Sequence, residues 1–165
     1  MATFEESVDK AIEVAVERAV AQAVAKINAK ATEVIAKIPT PNFKFVKGTA
    51  VTLTSSNKSV TYSLTITVAS GKSVFLLLTG DQNPTTSKAW LNIKLYRGST
   101  ALTWQITESS VLSQNHVFSL SYIDSPSAGT YTYKAEIALG NTAYSTCLGE
   151  SGNLQAPQFC VMEIH

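Results

Sequence analysis

Across Ile38-Pro39-Thr40-Pro41 the hydrophobic period of this 165-residue chain changes from that of a helix to that of a strand. Neither proline can donate a backbone hydrogen bond, and each pushes its predecessor out of helical angles, so no helix continues through this point. The chain therefore folds as two different structures in series. Upstream, Val20, Val24, Ile27, Ala31, Val34 and Ile38 alternate at spacings of four and three, which brings them to one helix face every seven residues. The pattern predicts a coiled-coil stalk helix over residues 1–38, a proline hinge at 39–42 and a separate head over 43–165.

Polarity along the stalk agrees with that reading. Thr3 followed by Glu6 fits a capping box, acids crowd the first half, and Lys26, Lys30 and Lys37 lie in the second, matching the helix macrodipole. β-Branched residues occupy both core positions of the heptad, Val24 and Ile38 at one and Val20, Ile27 and Val34 at the other, which favours three or more strands over two. A homotrimer is the expectation. Farther upstream Val8, Ile12, Val16 and Val20 recur every four residues, nearer an eleven-residue repeat, which relaxes or reverses the supercoil there. Two other fates suit an apolar stripe: folding back over its own sheet, or lying on a membrane surface. The second lacks the Trp or Phe anchors it needs beyond Phe4.

From Phe43 onward apolar and hydroxyl residues alternate, as in Val60-Thr61-Tyr62-Ser63-Leu64-Thr65-Ile66-Thr67-Val68, which is a strand with one wet face and one buried face. Leu91/Ile93/Leu95, Leu102/Trp104/Ile106, Phe118/Leu120/Tyr122 and Tyr131/Tyr133/Ala135/Ile137/Leu139 repeat the pattern, and Val74–Leu78 reads as buried on both faces. Turn residues separate the runs, among them Ser70-Gly71, Gly80–Pro84, Arg97-Gly98-Ser99, Ser125–Gly129 and Gly140-Asn141. Eight or nine short strands with no helical window among them predict an antiparallel jelly-roll sandwich, so the fold class is α+β by segregation.

Composition narrows the function. The net charge of +1 divides into −1 over residues 1–42 and +2 over the rest, with no basic cluster to meet a nucleic acid. No apolar run is long enough to span a membrane, and the acidic start Met1–Glu6 predicts synthesis without a signal peptide. Carboxylates in the head are isolated, no phosphate-binding glycine loop occurs, and His116 lies in phase with Phe118, Leu120 and Tyr122, so neither catalysis nor a cofactor is signalled. Two cysteines and two histidines are too few, and too widely spaced, for a zinc site. Cys147 and Cys160 admit either an interstrand disulfide, worth about 3 kcal/mol by loop closure, or two buried thiols. Trp90 and Tyr96 fall opposite Leu91, Ile93 and Leu95, where a neighbouring head would cover them or a receptor would use them as a platform. The polar stretches Gly80–Lys88, which carries Asp81 and Asn83, and Leu148–Gln158 are the other candidate contact surfaces.

Ser119-Leu120-Ser121-Tyr122-Ile123-Asp124-Ser125-Pro126-Ser127-Ala128-Gly129-Thr130-Tyr131-Thr132-Tyr133, with the strand, Gly-Asn turn and apolar C-terminal strand that follow, resembles the final hairpin of bacteriophage tail-fibre and head-fibre tips. Such tips are trimeric jelly-roll heads, similar to those of C1q and tumour-necrosis factor, carried on coiled coils. The resemblance covers about 45 residues and implies a virion protein made in a host cytoplasm. It would be a homotrimeric fibre or spike whose head attaches to a host-surface carbohydrate or protein and whose N-terminus meets other virion proteins. A cellular C1q-like or lectin-like trimeric module and a capsid-building protein without receptor binding are the alternative readings. If the seam drives assembly, Ile27→Asp dissociates the oligomer in light scattering while the β circular-dichroism signal of the head persists.

Overall fold

A computed structural model describes residues 4–36, 42–85, 89–109, 114–141, 143–149 and 156–165. The chain divides into two units, Met1–Thr40 and Pro41–His165. The first contains one helix, α1 (Phe4–Ala36), whose 33 residues extend about 50 Å at 1.5 Å per residue. Thr3, Ile38 and residues 39–41 of the proline hinge lie outside the described residues. Val20, Val24, Ile27 and Val34 are exposed, Ile27 to 66%, and Ala31 is exposed with them. Near the helix's end, Lys30 pairs with Glu33 at 2.8 Å on the solvent side.

The second unit is an antiparallel β-sandwich that has, among the described residues, ten strands: β1 (Phe43–Lys47), β2 (Val51–Leu53), β3 (Ser59–Val68), β4 (Ser73–Pro84), β5 (Ala89–Arg97), β6 (Thr100–Ser109), β7 (His116–Asp124), β8 (Gly129–Leu139), β9 (Thr146–Leu148) and β10 (Gln158–Ile164). One sheet runs β1-β10-β4-β9-β2 with β7 on the other side of β4, and the second runs β3-β8-β5-β6. Between them lies the core, to which Ile66, Leu76, Leu78, Leu91, Ile93, Leu95, Tyr133, Ile137, Phe159 and Val161 contribute almost fully buried side chains. Each apolar set predicted for β3, β5, β7 and β8 points into this layer, as two-residue alternation requires.

Polar clasps join the sheets where apolar packing alone would leave the register free to slip. Arg97 at the end of β5 donates through Nη1 to both carboxylate oxygens of Asp124, at 3.0 and 2.9 Å. The hydroxyl of the fully buried Tyr133 donates to the same carboxylate at 2.8 Å. Arg97 also lies 5.5 Å from the centre of the Tyr131 ring. A second clasp runs from Gln82 Nε2 in β4 to Thr107 Oγ1 in β6 at 3.4 Å.

Three sequence expectations are revised, and one alternative left open, that of the cysteines, is decided. Ser119–Tyr133 is not a hairpin: β7 pairs with β4 in one sheet and β8 with β3 and β5 in the other, so the Pro126 segment is a crossover pinned by Asp124. Gly80–Pro84 is the end of β4 rather than a turn, because its residues pair with β7 and β9. Leu102, Trp104 and Ile106 alternate as expected, yet Trp104 and Ile106 face water while Thr107, on the opposite side of β6, turns inward to Gln82. Finally, both cysteines are free. Cys147 is aligned with Asn83 of β4 and Cys160 with Leu77, six residues apart along one strand, or about 20 Å, against the 4.4–6.8 Å between Cα atoms that a disulfide needs.

Burial, then the bond to Asp124, hold the Tyr133 phenol neutral well above the ordinary value of 10.0. A raised folded value means that this contribution is complete below about pH 10 and is lost as pH climbs beyond it, because the unfolded chain then loses its proton first. Tyr133→Phe removes a bond to a charged acceptor and is expected to cost about 1.5–3 kcal/mol in urea unfolding at neutral pH. The same variant flattens the decline in stability above pH 10.

Candidate binding face

The outer surface of the β3-β8-β5-β6 sheet brings together groups widely separated in sequence. Antiparallel registers place Thr61, Glu136, Lys94 and Trp104 in one row across all four strands. Ser63, Lys134, Tyr96 and Ala101 form the row on one side, and Ser59, Ala138, Asn92 and Ile106 the row on the other. With strands about 4.8 Å apart, each row spans about 14 Å.

Two depressions open on this face. One, of ≈ 470 Å³, is lined by Asn92, Lys94, Tyr96, Ala101 and Trp104; the other, of ≈ 270 Å³, by Thr61, Tyr96, Ser99, Lys134 and Glu136. Tyr96 belongs to both and is held in place: its hydroxyl donates to Glu136 Oε2 at 3.0 Å, and Lys134 Nζ stands 5.6 Å from its ring centre. Burial, then the Glu136 bond, raise the Tyr96 phenol above its ordinary range, so it stays a donor at neutral pH. Trp104 is 66% exposed, an open aromatic plane beside the amide of Asn92 and the ammonium of Lys94. A flat ring next to directional hydrogen-bonding groups suits a ligand with one apolar face and a hydroxylated edge.

Of the residues expected from sequence, Tyr96 lies in this site. Trp90 shares its sheet face but is half-buried, its indole lying over Gly140 and tilted against Tyr144 at 5.5 Å between ring centres. Asp81 is buried in β4, and Asn83 donates from Nδ2 to Asn115 Oδ1 at 3.3 Å, so both belong to the opposite sheet. Trp104, Lys94, Asn92, Glu136 and Lys134 were not singled out by sequence. The available signal was the strand alternation of Leu102, Trp104 and Ile106, which has the same form whether the set faces the core or the solvent. His116 is half-buried with Nε2 enclosed, and among the described residues no cluster of His, Cys, Asp and Glu could hold a metal ion.

No family model matches the chain, and no curated protein matches it. Among solved structures it is similar to one described as "CBM4 structure and function", with a TM-score of 0.37 and 14% identity over 58% of this chain and 59% of that one. The enzymatically active domain of bacteriophage CBA120 tailspike protein 4 gives 0.36 and 8% over 72% of this chain and 17% of that one. TmCBM61 in complex with β-1,4-galactotriose gives 0.35 and 10% over 72% and 81%. The chain thus spans less than two thirds of the first two.

Gly140 marks the closest approach on this sheet, since a Cβ there would fall on the Trp90 indole. Gly140→Ala is expected to displace that ring and to destabilise the head by about 1–3 kcal/mol, with a shift in Trp fluorescence.

Proposed function

We propose that this chain is an attachment protein, a multimeric fibre or spike of a virus particle, whose jelly-roll head binds a host-surface saccharide through the outer face of β3-β8-β5-β6. The observation that carries the reading is Trp104, exposed in a ≈ 470 Å³ depression beside Asn92, Lys94 and Tyr96. A pyranose ring presents C–H groups on one face and hydroxyls around its edge, so it stacks on an indole while amide, ammonium and carboxylate groups fix its orientation. The strand orders β1-β10-β4-β7 and β3-β8-β5-β6, in which each chain-order step among these eight strands except β5 to β6 crosses between sheets, support the jelly-roll reading. The exposed Val/Ile stripe of α1 supports a coiled coil between copies, with three strands favoured by its β-branched core.

Such an arrangement converts a shallow, weak site into firm attachment, because heads held together engage a surface with an avidity 10²–10⁴ above that of one. Neighbouring genes for capsid or tail proteins are the expected context. Trp104→Ala is the direct test. On a glycan array the parent chain binds a restricted set of saccharides, and the variant is expected to lose at least tenfold in apparent affinity with an unchanged β circular-dichroism spectrum. Equal binding by parent and variant, or no binding to any saccharide by an assembled parent, would sink the saccharide reading.

A further inference from the structure

The outer face of the other sheet has the opposite character. Registers of β1, β10, β4 and β7 align Phe45, Cys160, Leu77 and Ser121 in one row across four strands. Phe43, Met162, Phe75 and Ile123 form the adjacent row. These side chains alternate with Val46, Phe159, Val161, Leu76, Leu78 and Leu120, which pack into the core, so they point outward. Phe43, Phe45 and Ile123 are 50%, 48% and 57% exposed, and the two phenylalanine rings stack with centres 6.4 Å apart. Neither row contains an ionisable side chain other than the Cys160 thiol. The row beyond, Lys47, Gln158, Thr79 and Ser119, is polar.

We infer that this face of the β1-β10-β4-β7 sheet is where neighbouring heads of the same assembly pack on one another, the occupant being a second copy of this chain. The inference rests on the helix-driven assembly proposed above. An apolar centre with a polar border is the pattern of a protein interface, and the single lysine in that border falls short of the basic cluster that an anionic lipid surface selects. Four strands by two rows cover about 300 Å², well below the ~800 Å² per partner of a stable free-standing interface. The face is thus too small to assemble free heads but large enough to join heads that are already tethered. Six residues separate Ala36 from Phe43, a connection that reaches at most about 25 Å, so a coiled coil of α1 supplies neighbouring heads at roughly millimolar effective concentration. The strand that follows this connection, β1, is the one that carries Phe43 and Phe45.

Cys160, inside the face, supplies the measurement. In the full-length chain carrying Cys147→Ser, it is the sole thiol, and maleimide labelling is followed by intact mass while light scattering reports assembly. Burial within the head raises its thiol pKa, and further coverage by a neighbour slows labelling again, so the ratio of rates between assembled and dissociated forms reports that coverage. Cys160 is expected to label at least tenfold more slowly in the assembly than in the dissociated Ile27→Asp chain. Phe45→Asp, or the milder Phe43→Ser should the first disturb the β spectrum, is expected to restore fast labelling without changing the assembled mass. Equal rates in assembled and dissociated chains overturn the inference while leaving the helix seam intact. Protection that persists in the Ile27→Asp monomer assigns the face to the chain's own helix, and protection gained only on adding anionic phospholipid vesicles assigns it to a membrane; either result overturns it. A parent chain that is monomeric in light scattering removes the helix-driven assembly and this inference together.

Discussion

Alternation of side chains along an extended strand governs everything else in this head. Each strand must divide its residues between two faces, and a slip of one residue exchanges them wholesale. In β4 the division sends Val74, Leu76 and Leu78 into the interior with no exposure at all and leaves Phe75 and Leu77 on the outside. The interior is thereby filled by the inward halves of the two sheets. The outward halves are free to differ, and they do: one carries tryptophan, tyrosine, lysine and glutamate, the other phenylalanine, leucine and methionine.

Apolar packing is forgiving about register, since one aliphatic side chain can replace another with modest loss. The polar clasps are not. Asp124 must lie within reach of Arg97 and Tyr133 at once, and Gln82 opposite Thr107, or buried polar groups go unpaired at a cost of about 1–3 kcal/mol each. A buried ion pair adds little net stability, because desolvation offsets its attraction. Its value here is positional. Asp124 closes β7 just before the chain crosses to the other sheet, and Arg97 closes β5 just before the Gly98 turn, where φ is +60°. The clasp fixes the ends from which the outward rows of the binding face are counted.

Where an apolar set had only one place to go, the fold was legible in the sequence. Val60–Val68, Leu91–Leu95 and Tyr131–Leu139 are long alternations whose apolar phase is the buried one, and of the helix expected over residues 1–38 the described part, Phe4–Ala36, is helical throughout. Strand β6 was illegible because its outcome depends on a partner 25 positions away: Thr107 turns inward to meet Gln82, which carries Trp104 to the surface. The same non-locality hid the end of β4, whose Asp81, Gln82 and Asn83 look like turn residues until β7 and β9 pair with them. The Asp-Ser-Pro-Ser-Ala-Gly segment has the turn chemistry of a hairpin, and nothing local distinguishes a turn within one sheet from a step between two. Tyr96 could be placed on an outer face from its own strand, but its partnership with Trp104, Glu136 and Lys134 exists only through inter-strand register.

The two outer faces invite different kinds of contact for reasons rooted in solvent. Burying the phenylalanine-rich face releases water from apolar area at about 25 cal/mol per Å², a non-directional gain that tolerates imperfect fit and is lost only when the whole patch separates. The Trp104 face gains little from burial alone, because Lys94, Lys134, Glu136 and Asn92 each require a replacement for the water they surrender. On the proposed saccharide reading that requirement is the source of selectivity: a ligand without matching hydroxyls would leave charged groups unpaired. Permanent contact between copies therefore suits the first face and reversible, discriminating contact suits the second. Because they lie on opposite sheets, the two proposed contacts would not obstruct one another.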